Sequence, residues 1–278
     1  MLTIAEPRDT TPAGLAALSR RWDDVDGARL VVAVPAGEAT VLGSFERQTV
    51  AGTFVRRGSG GAPVTIGPGT IWLQLALERP DALVACRADQ LVNRYVRPVL
   101  RAIGKVSRVP ASYFGRDWIS LGGHPVGLVS FAHESRTNRC LFEAILAVST
   151  PFSGPRSSFR DKAPATIDAP PDRLAALLRE AFGPGAPATV SGIDEVLPME
   201  PAWTATVEEA LGTIGADRAR LGGELVASRD AVAEAERRLA EGAEVDTALQ
   251  AFSGAQLFGA RIEALREVLL RARAPREG

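Results

Sequence analysis

The run RRGSGG, from Arg56 to Gly61, carries residue types that suit the binding of an anion. Glycine lets the backbone turn at positive φ and approach a ligand closely. The guanidinium groups of Arg56 and Arg57 can hold a phosphate or a carboxylate through paired hydrogen bonds. The run is neither a Walker motif nor GxGxxG, and Gly-Ser-Gly-Gly also suits a solvated hairpin tip. Composition alone leaves both interpretations open.

Histidine and cysteine, which often act as bases, nucleophiles or zinc ligands, are few in this chain. The chain has two histidines and two cysteines, Cys86 and Cys140, so a Cys/His metal site is not expected. Both cysteines lie in apolar runs, where cysteine commonly acts as a small buried residue rather than as a nucleophile. The lack of a disulfide framework predicts a reducing, cytoplasmic setting.

The charge balance argues against two classes of partner. The 278 residues include 32 Lys and Arg against 33 Asp and Glu, a net charge of −1 that is unlike a nucleic-acid or anionic-membrane binder. No apolar stretch is long enough to span a bilayer. The N-terminus lacks the basic start and apolar run of a signal peptide. These features predict a soluble protein with neither partner.

The glycine-rich run lies among predicted strands. RLVVAVP and ATVLG read as strands joined by a hairpin turn, and GTFVRR and TIWLQLAL flank the glycine loop. WISL, PVGLVSF and CLFEAILAV follow, with turns at Gly122-Gly123 and Thr137-Asn138. Helices are predicted from Thr11-Pro12 to about Trp22, over ADQLVNRYVRPVLRAIG and over PDRLAALLREAFG.

The spacing of apolar residues changes in the last part of the chain, after a proline-rich linker. Apolar positions alternate by four and three from Thr204 to Gly242 and again from Ala248 to Ala272, with EGAEVD between them. This pattern predicts a hairpin of two long helices and a domain boundary between residues 1–196 and 197–278. The hairpin could pack on itself or on the core, or form a homodimer surface over 204–273.

Four runs, taken in chain order, resemble the lipoate-protein ligase and octanoyltransferase family of the biotin and lipoate ligase superfamily. They are Thr40 to Gln48, Arg56 to Val64, Gly115 to Trp118 and Gly122 to Leu128. The family patterns that they resemble are TVVIGRxQN, RRxSGGGAV, GRNDL and GxKxSG. The resemblance covers roughly Leu30 to Val148.

The resemblance implies an α+β fold of the class II synthetase type, with a mixed sheet and flanking helices. It implies that the acid, lipoate or octanoate, is activated with ATP and Mg²⁺ and passed to a lipoyl-type carrier domain. Some relatives instead transfer octanoyl groups through a cysteine, but neither cysteine here matches that nucleophile. The implied ligand-binding residues are Arg56, Arg57, Gly58, Ser59, Gly60, Gly61, Arg116 and Asp117.

The sequence departs from the family pattern where the chemistry is expected. The lysine of GxKxSG is replaced by Pro125, which offers neither positive charge nor an N–H donor. Ala62-Pro63 replaces the third glycine and the alanine of the loop, and Ile66-Gly67 replaces a His-Asp pair. His124, beside the altered position, is the candidate catalytic residue as a base or a cation, and the other interpretation is a turn histidine.

The leading hypothesis is a divergent lipoate-ligase-like protein that does not adenylate lipoate in the usual way. It would bind an acyl or acyl-nucleotide ligand, or a carrier or other partner protein, which leaves open whether it is an enzyme. One alternative is an active ATP-dependent acyl ligase or acyltransferase with a replacement residue such as His124, Arg136 or Arg139. The other is a non-enzymatic dimerisation or docking protein.

Overall fold

The computed structural model describes residues 1–44, 52–113, 117–134, 137–153 and 163–183, with shorter pieces near the C-terminus. Those pieces are residues 203–206, 224–227, 234, 237–238, 240–244, 247–248 and 256–258. The helices are α1 (Pro12–Arg20), α2 (Leu91–Gly104) and α3 (Pro171–Phe182), with 3-10 turns at Trp22–Asp24 and Ala88–Gln90. The strands are β1 (Leu2–Ile4), β2 (Ala28–Ala33), β3 (Ala39–Leu42), β4 (Phe54–Arg56), β5 (Val64–Ile66), β6 (Thr70–Leu77), β7 (Ala111–Tyr113), β8 (Trp118–Leu121), β9 (His124–Glu134), β10 (Arg139–Ala147), β11 (Trp203–Thr206), β12 (Glu224–Ala227) and β13 (Gln256–Phe258).

Most of these strands form one large mixed sheet in the order β1-β2-β6-β10-β9-β13-β12-β11, and β8 joins β7 to β9. Its centre is antiparallel, since β10 pairs with both β6 and β9 along nearly its whole length. The pairs β1-β2 and β9-β13 are parallel. A separate three-stranded sheet has the order β4-β3-β5. The described chain is therefore α+β with a mixed sheet, as predicted.

The large sheet is covered on both faces. Helices α2 and α3 cover one face, where Leu73 and Phe142 belong to a buried apolar cluster. Helix α1 and the three-stranded sheet cover the other face, where Leu15, Val41 and Trp72 form a second cluster. Because neither face of the central strands meets solvent, their sequences are apolar at nearly every position instead of alternating.

Several local predictions are confirmed. Helix α1 begins after Thr11, whose hydroxyl oxygen accepts a hydrogen bond from the Gly14 N–H at 3.2 Å. Helices α2 and α3 lie within the two other predicted helical runs. The β8-β9 turn has positive φ at Gly122 and Gly123, and Asn138 has positive φ in the β9-β10 turn.

No helix within the ranges given above is long and apolar enough to cross a bilayer.

The predicted hairpin between β2 and β3 is wrong. Strand β2 pairs with β1 and β6, whereas β3 pairs with β4 and β5 in the other sheet. The chain leaves the large sheet after β2, and the Ala36 N–H donates to the Thr10 carbonyl ahead of α1 at 2.9 Å. Apolar runs and a turn between them indicate two strands, but they do not determine which strands pair.

The turn of the predicted C-terminal hairpin is confirmed by the described residues. Residues 234, 237–238 and 240 are helical, residues 241–244 form a turn, and residues 247–248 are helical again. Gly242 has a φ of 81°, and the Ala243 N–H donates to the Arg238 carbonyl at 2.9 Å, which is the geometry of a glycine-capped helix end. The Arg238 guanidinium also donates to the Thr247 carbonyl across the turn at 2.8 Å.

The prediction of helix is wrong for three short segments further from that turn, where β11, β12 and β13 are strands. Strand β8 pairs with β9 only as far as Leu128, and β13 pairs with β9 beyond it, at Ala132 and His133. The edge of β9 beyond Leu128 has backbone groups that can form hydrogen bonds with any segment that pairs with it. The spacing of apolar residues in a segment does not show whether it pairs with such an edge. The rest of 204–273 lies outside the described residues, so the homodimer surface and the 196/197 boundary stay predictions.

Candidate functional site

The glycine-rich run forms the connection between β4 and β5 and lies against α1 and the large sheet. Gly61 has a φ of 90°, and a Cβ added there would lie 3.6 Å from Ser130 Cβ on β9. A Cβ added at Gly58 would lie 2.6 Å from the Ser19 carbonyl oxygen at the end of α1. The first position therefore needs glycine for its backbone angle, and the second needs it for close packing.

Both arginines of the run donate hydrogen bonds to backbone carbonyls. Arg57 is 1% exposed, and its guanidinium donates to Gly60 O at 2.5 and 3.0 Å, to Ala62 O at 3.1 Å and to Val41 O at 3.4 Å. Arg56 Nη1 donates to the Gly43 carbonyl at 2.7 Å. These contacts close the loop on itself and join it to β3. They give both side chains a structural role that the sequence did not predict.

Ser44, just beyond β3, fastens the same loop from a second side. Its backbone N–H donates to the Ser59 carbonyl at 2.8 Å, and its hydroxyl lies 2.9 Å from the Gly58 carbonyl. The hydroxyl and the backbone of this buried residue therefore both contact the loop. The loop conformation is fixed from within by Arg57 and, from the turn after β3, by Ser44.

A buried carboxyl group lies beneath the loop. Glu143, in the middle of β10, is 1% exposed and accepts hydrogen bonds from the Ser19 hydroxyl at 2.7 Å and the Trp72 indole N–H at 2.9 Å. Its other oxygen accepts from the Ser59 hydroxyl at 2.5 Å and from the Ser59 N–H at 3.3 Å. The Ser59 and Ser130 hydroxyls lie 2.7 Å apart. One carboxyl group thus ties α1, β6 and the glycine loop to β10.

Two peptide N–H groups in this loop donate no hydrogen bond within the described part of the chain. They belong to Gly60 and Gly61, and both residues are buried. Buried backbone N–H groups nearly always have a partner, which can be protein, water or ligand. Two consecutive N–H groups of this kind can bind an oxygen of a carboxylate or a phosphate.

The architecture matches solved structures of one fold group. A crystal structure of lipoate-protein ligase A bound with ATP is 17% identical and has a TM-score of 0.50, covering 65% of this chain and 83% of that chain. The chain has the lipoate-protein ligase fold. Also similar are a bipartite lipoate protein ligase from Thermoplasma acidophilum (16% identity, 65% and 81% covered, TM-score 0.49) and a biotin protein ligase from Aquifex aeolicus (13%, 66% and 68%, 0.40). No protein-family model and no curated protein sequence matches the chain.

In this lipoate-protein ligase fold, the position that the resemblance assigns to the family lysine is buried inside β9. Pro125 pairs with Ser120, while Ile119 pairs with Gly127, so β9 has one extra residue there. Proline suits such a bulge because the missing N–H breaks no regular ladder bond. The Pro125 carbonyl accepts from the Ala165 N–H at 2.9 Å. Neither the proline ring nor its carbonyl supplies the positive charge of a lysine.

Of the residues considered as replacement cations, the two that the structure describes, His124 and Arg139, do not lie together with the loop. His124 is exposed at the start of β9, and its Nδ1 lies 3.0 Å from the Ala163 carbonyl. It is four residues, roughly 13 Å of strand, from Leu128, which lies next to Gly61. Arg139 pairs with Asp26 at 3.6 Å, at the far end of the β9-β10 pair. Arg136 lies outside the described residues.

Of the predicted pair Arg116 and Asp117, only the aspartate is described. Its carbonyl accepts from the Val129 N–H at 2.6 Å, which places Asp117 beside the part of β9 that contacts the loop. Arg116 lies outside the described residues, as does Gly115. The structure thus brings Asp117 towards the loop residues 58–61, and it places His124 apart from them.

The donors at the loop suit an oxyanion better than a metal ion. The loop offers peptide N–H groups, and the Glu143 carboxyl beneath it is already used by its hydrogen-bond donors. In the described ranges, no group of three His, Cys, Asp or Glu residues could hold a metal. The peptide N–H groups present at the loop therefore fit a carboxylate or phosphate group.

Cys140 should not react with thiol reagents in the native protein. It is fully buried, and the pKa of its thiol is raised mainly by burial and further by Cys86 and Asp81. At neutral pH it therefore remains a thiol, which is a poor nucleophile. Titration with an aromatic disulfide reagent should label at most the half-buried Cys86 before denaturation and both cysteines after it. In a Cys86→Ser variant, any labelling comes from Cys140. Rapid labelling of that variant in the native state would contradict the prediction.

The sequence did not predict the residues that hold the loop in place: Ser19, Ser44, Trp72, Ser130 and Glu143. One signal was available, because Glu143 is the only charged residue in the apolar run CLFEAILAV. A buried charged residue in a central strand usually has several polar partners. The partners themselves come from three other elements, so no local pattern connects them.

Proposed function

We propose that this protein binds the anionic head of an acyl ligand, a carboxylate or an acyl phosphate, and does not convert it to an acyl-adenylate. The observation that supports binding is the pair of buried N–H groups at Gly60 and Gly61. Apolar residues lie beside the loop, where Val64 and Leu128 belong to one buried cluster against which Trp118 packs.

Two observations support binding without activation. Adenylation develops negative charge on the carboxyl and phosphate oxygens, and cations placed beforehand stabilise it. Arg56 and Arg57 donate to the carbonyls of the loop and of β3, and Pro125 fills the position assigned to the lysine. The Gly60 and Gly61 donors are neutral peptide groups, which favour binding of an anion and stabilise additional charge less than a cation does.

The binding part of the proposal is tested by following the two N–H groups directly. Amide NMR spectra of ¹⁵N-labelled protein should show the signals of Gly60 and Gly61 shifting on titration with octanoate, lipoate or a non-hydrolysable acyl-adenylate. Octan-1-ol, with the same chain but no anionic head, should bind at least about tenfold more weakly, because it forms no charge-assisted hydrogen bond. Unmoved signals with all three anions, or equal binding of octanol, would overturn the proposal.

The catalytic part is tested by pyrophosphate release. Protein mixed with ATP, Mg²⁺ and lipoate or octanoate should release no more pyrophosphate than the buffer, and a lipoyl-type carrier domain should not change this. The T. acidophilum ligase has an E2 lipoyl domain as its partner. A lipoyl-type carrier domain is therefore the partner proposed for this chain. Turnover that His124→Ala abolishes would instead support the active ligase with a replacement residue.

A further inference from the structure

Helix α2 has an apolar face and a basic face. The buried residues of the helix are Leu91, Val92, Tyr95, Val96, Pro98, Val99, Ala102 and Ile103. On the opposite side, Arg94, Arg97 and Arg101 follow one another at spacings of three and four, which places them in one row on the helix. The Cα atoms of Arg94 and Arg101 are about 10 Å apart along the axis, and Lys105 continues the row. We call these three arginines the α2 stripe.

The charges of the α2 stripe have no acidic partner in the part of the chain that the structure describes. Lys105, the next residue in the row, pairs with Glu180 of α3 at 2.7 Å. The arginines have no such contact, and α2 itself contains no acidic residue. The pKa of Arg101 is lowered, first by burial and then by the neighbouring charge of Arg97. A row of like charges on a helix is unfavourable, and a bound anion would relieve it.

We propose that the α2 stripe is a docking surface for a protein that presents a row of carboxylates, such as an acidic helix. Three guanidinium groups along about 10 Å of helix match Asp or Glu side chains spaced by three and four on a partner helix. Arginine suits this contact because its planar group binds a carboxylate through two hydrogen bonds. Charge complementarity of this kind guides association and sets the orientation of the partner.

A narrow stripe fits a protein better than a nucleic acid. A nucleic-acid surface contacts many phosphates at once and needs a broad basic area. The chain has a net charge of −1, and Glu180 of α3 pairs with Lys105 at the end of the row of basic residues. That ion pair limits the basic surface at this end, so the stripe offers a partner three arginines and not a broad basic area.

The stripe and the glycine loop lie on opposite faces of the large sheet. Helix α2 packs on the face that contains Phe142, whereas the loop packs on the face that contains Glu143. A partner on the stripe therefore leaves the loop free, and both surfaces can be occupied at once. This surface does not depend on the proposed acyl ligand, so either proposal can fail without the other.

The test compares two double variants with the same change in charge. Arg97→Gln with Arg101→Gln removes most of the stripe, and Arg8→Gln with Arg20→Gln removes two exposed arginines elsewhere. The probe is a fluorescein-labelled helical peptide with glutamate at positions i, i+3 and i+7, followed by anisotropy at about 0.01 and 0.15 M salt. A peptide with glutamine at those positions, a DNA duplex and phosphatidylglycerol vesicles are the comparison probes.

We expect the glutamate peptide to bind the unaltered protein and to lose about tenfold in affinity with the stripe variant but less than about twofold with the control variant. The melting temperature of the stripe variant should be unchanged or higher, since a repulsion is removed. Equal losses with both variants, no binding of the glutamate peptide, or tighter stripe-dependent binding of DNA or vesicles would overturn the proposal.

Discussion

Replacing Glu143 with leucine should lower the free energy of unfolding by about 3 kcal/mol or more. Leucine has a similar volume but accepts no hydrogen bond. The change leaves the Ser19 hydroxyl, the Trp72 indole and the Ser59 hydroxyl and N–H without their acceptor inside the protein. Each buried donor that loses its partner costs about 1–3 kcal/mol, although the serine hydroxyls can partly reorient. Denaturant unfolding followed by tryptophan fluorescence measures the loss.

The matched control is Gln74→Leu, because Gln74 lies directly opposite Glu143 on β6 and is also buried. Its side chain donates one hydrogen bond, to the Leu15 carbonyl at 2.8 Å. This variant should therefore lose only about 1 kcal/mol. Hydrogen exchange at Ser59 should accelerate strongly in the Glu143 variant and little in the control. Equal losses in the two variants would show that the network contributes no more than a single buried hydrogen bond.

Replacing Arg57 with methionine should cost about 2–4 kcal/mol and open the glycine loop. Methionine keeps much of the buried stem but removes the donors to Gly60, Ala62 and Val41. Because two of those carbonyls belong to the loop, the main effect should be local. Hydrogen exchange over residues 58–62 should rise more than over the central strands, and the affinity for octanoate should fall with it.

The neighbouring Arg56→Met variant is the control for this prediction. Arg56 is only partly buried, and its contacts with the Gly43 and Ser44 carbonyls can be replaced by water. We expect a loss of about 1 kcal/mol or less. If Arg56→Met weakens octanoate binding more than Arg57→Met while the loop stays protected, then Arg56 contacts the ligand. That result would favour the arginine clamp predicted from the sequence.

The sequence predicts the fold well where the signals are local. Thr11 and Gly122 mark a helix start and a turn, and the apolar spacing of α2 places it correctly. The resemblance in the loop and in the strands after it also pointed to the correct fold. The pairing of strands could not be predicted in the same way, since it depends on contacts between distant parts of the chain. For example, β2 and β3 are adjacent in sequence but belong to different sheets.

The candidate site was predicted only in part, for a physical reason. The residue types of RRGSGG indicate that the run can bind an anion, but an arginine donates equally well to a carbonyl of its own loop. Which acceptor Arg57 uses depends on how the loop folds over β9 and β10, and that depends on Glu143. The residue type at position 125 says more about the site than the two arginines do, since a proline side chain carries no charge in any conformation.

The internal fastening of the loop by Arg57, Ser44 and Glu143 has a consequence for how a ligand would associate. A loop that is already ordered loses little conformational entropy when it binds, so less of the interaction energy is spent on ordering. The free and bound backbones should then nearly coincide, and association should proceed without a slow closing step. Such preorganisation suits rapid capture and release of a ligand.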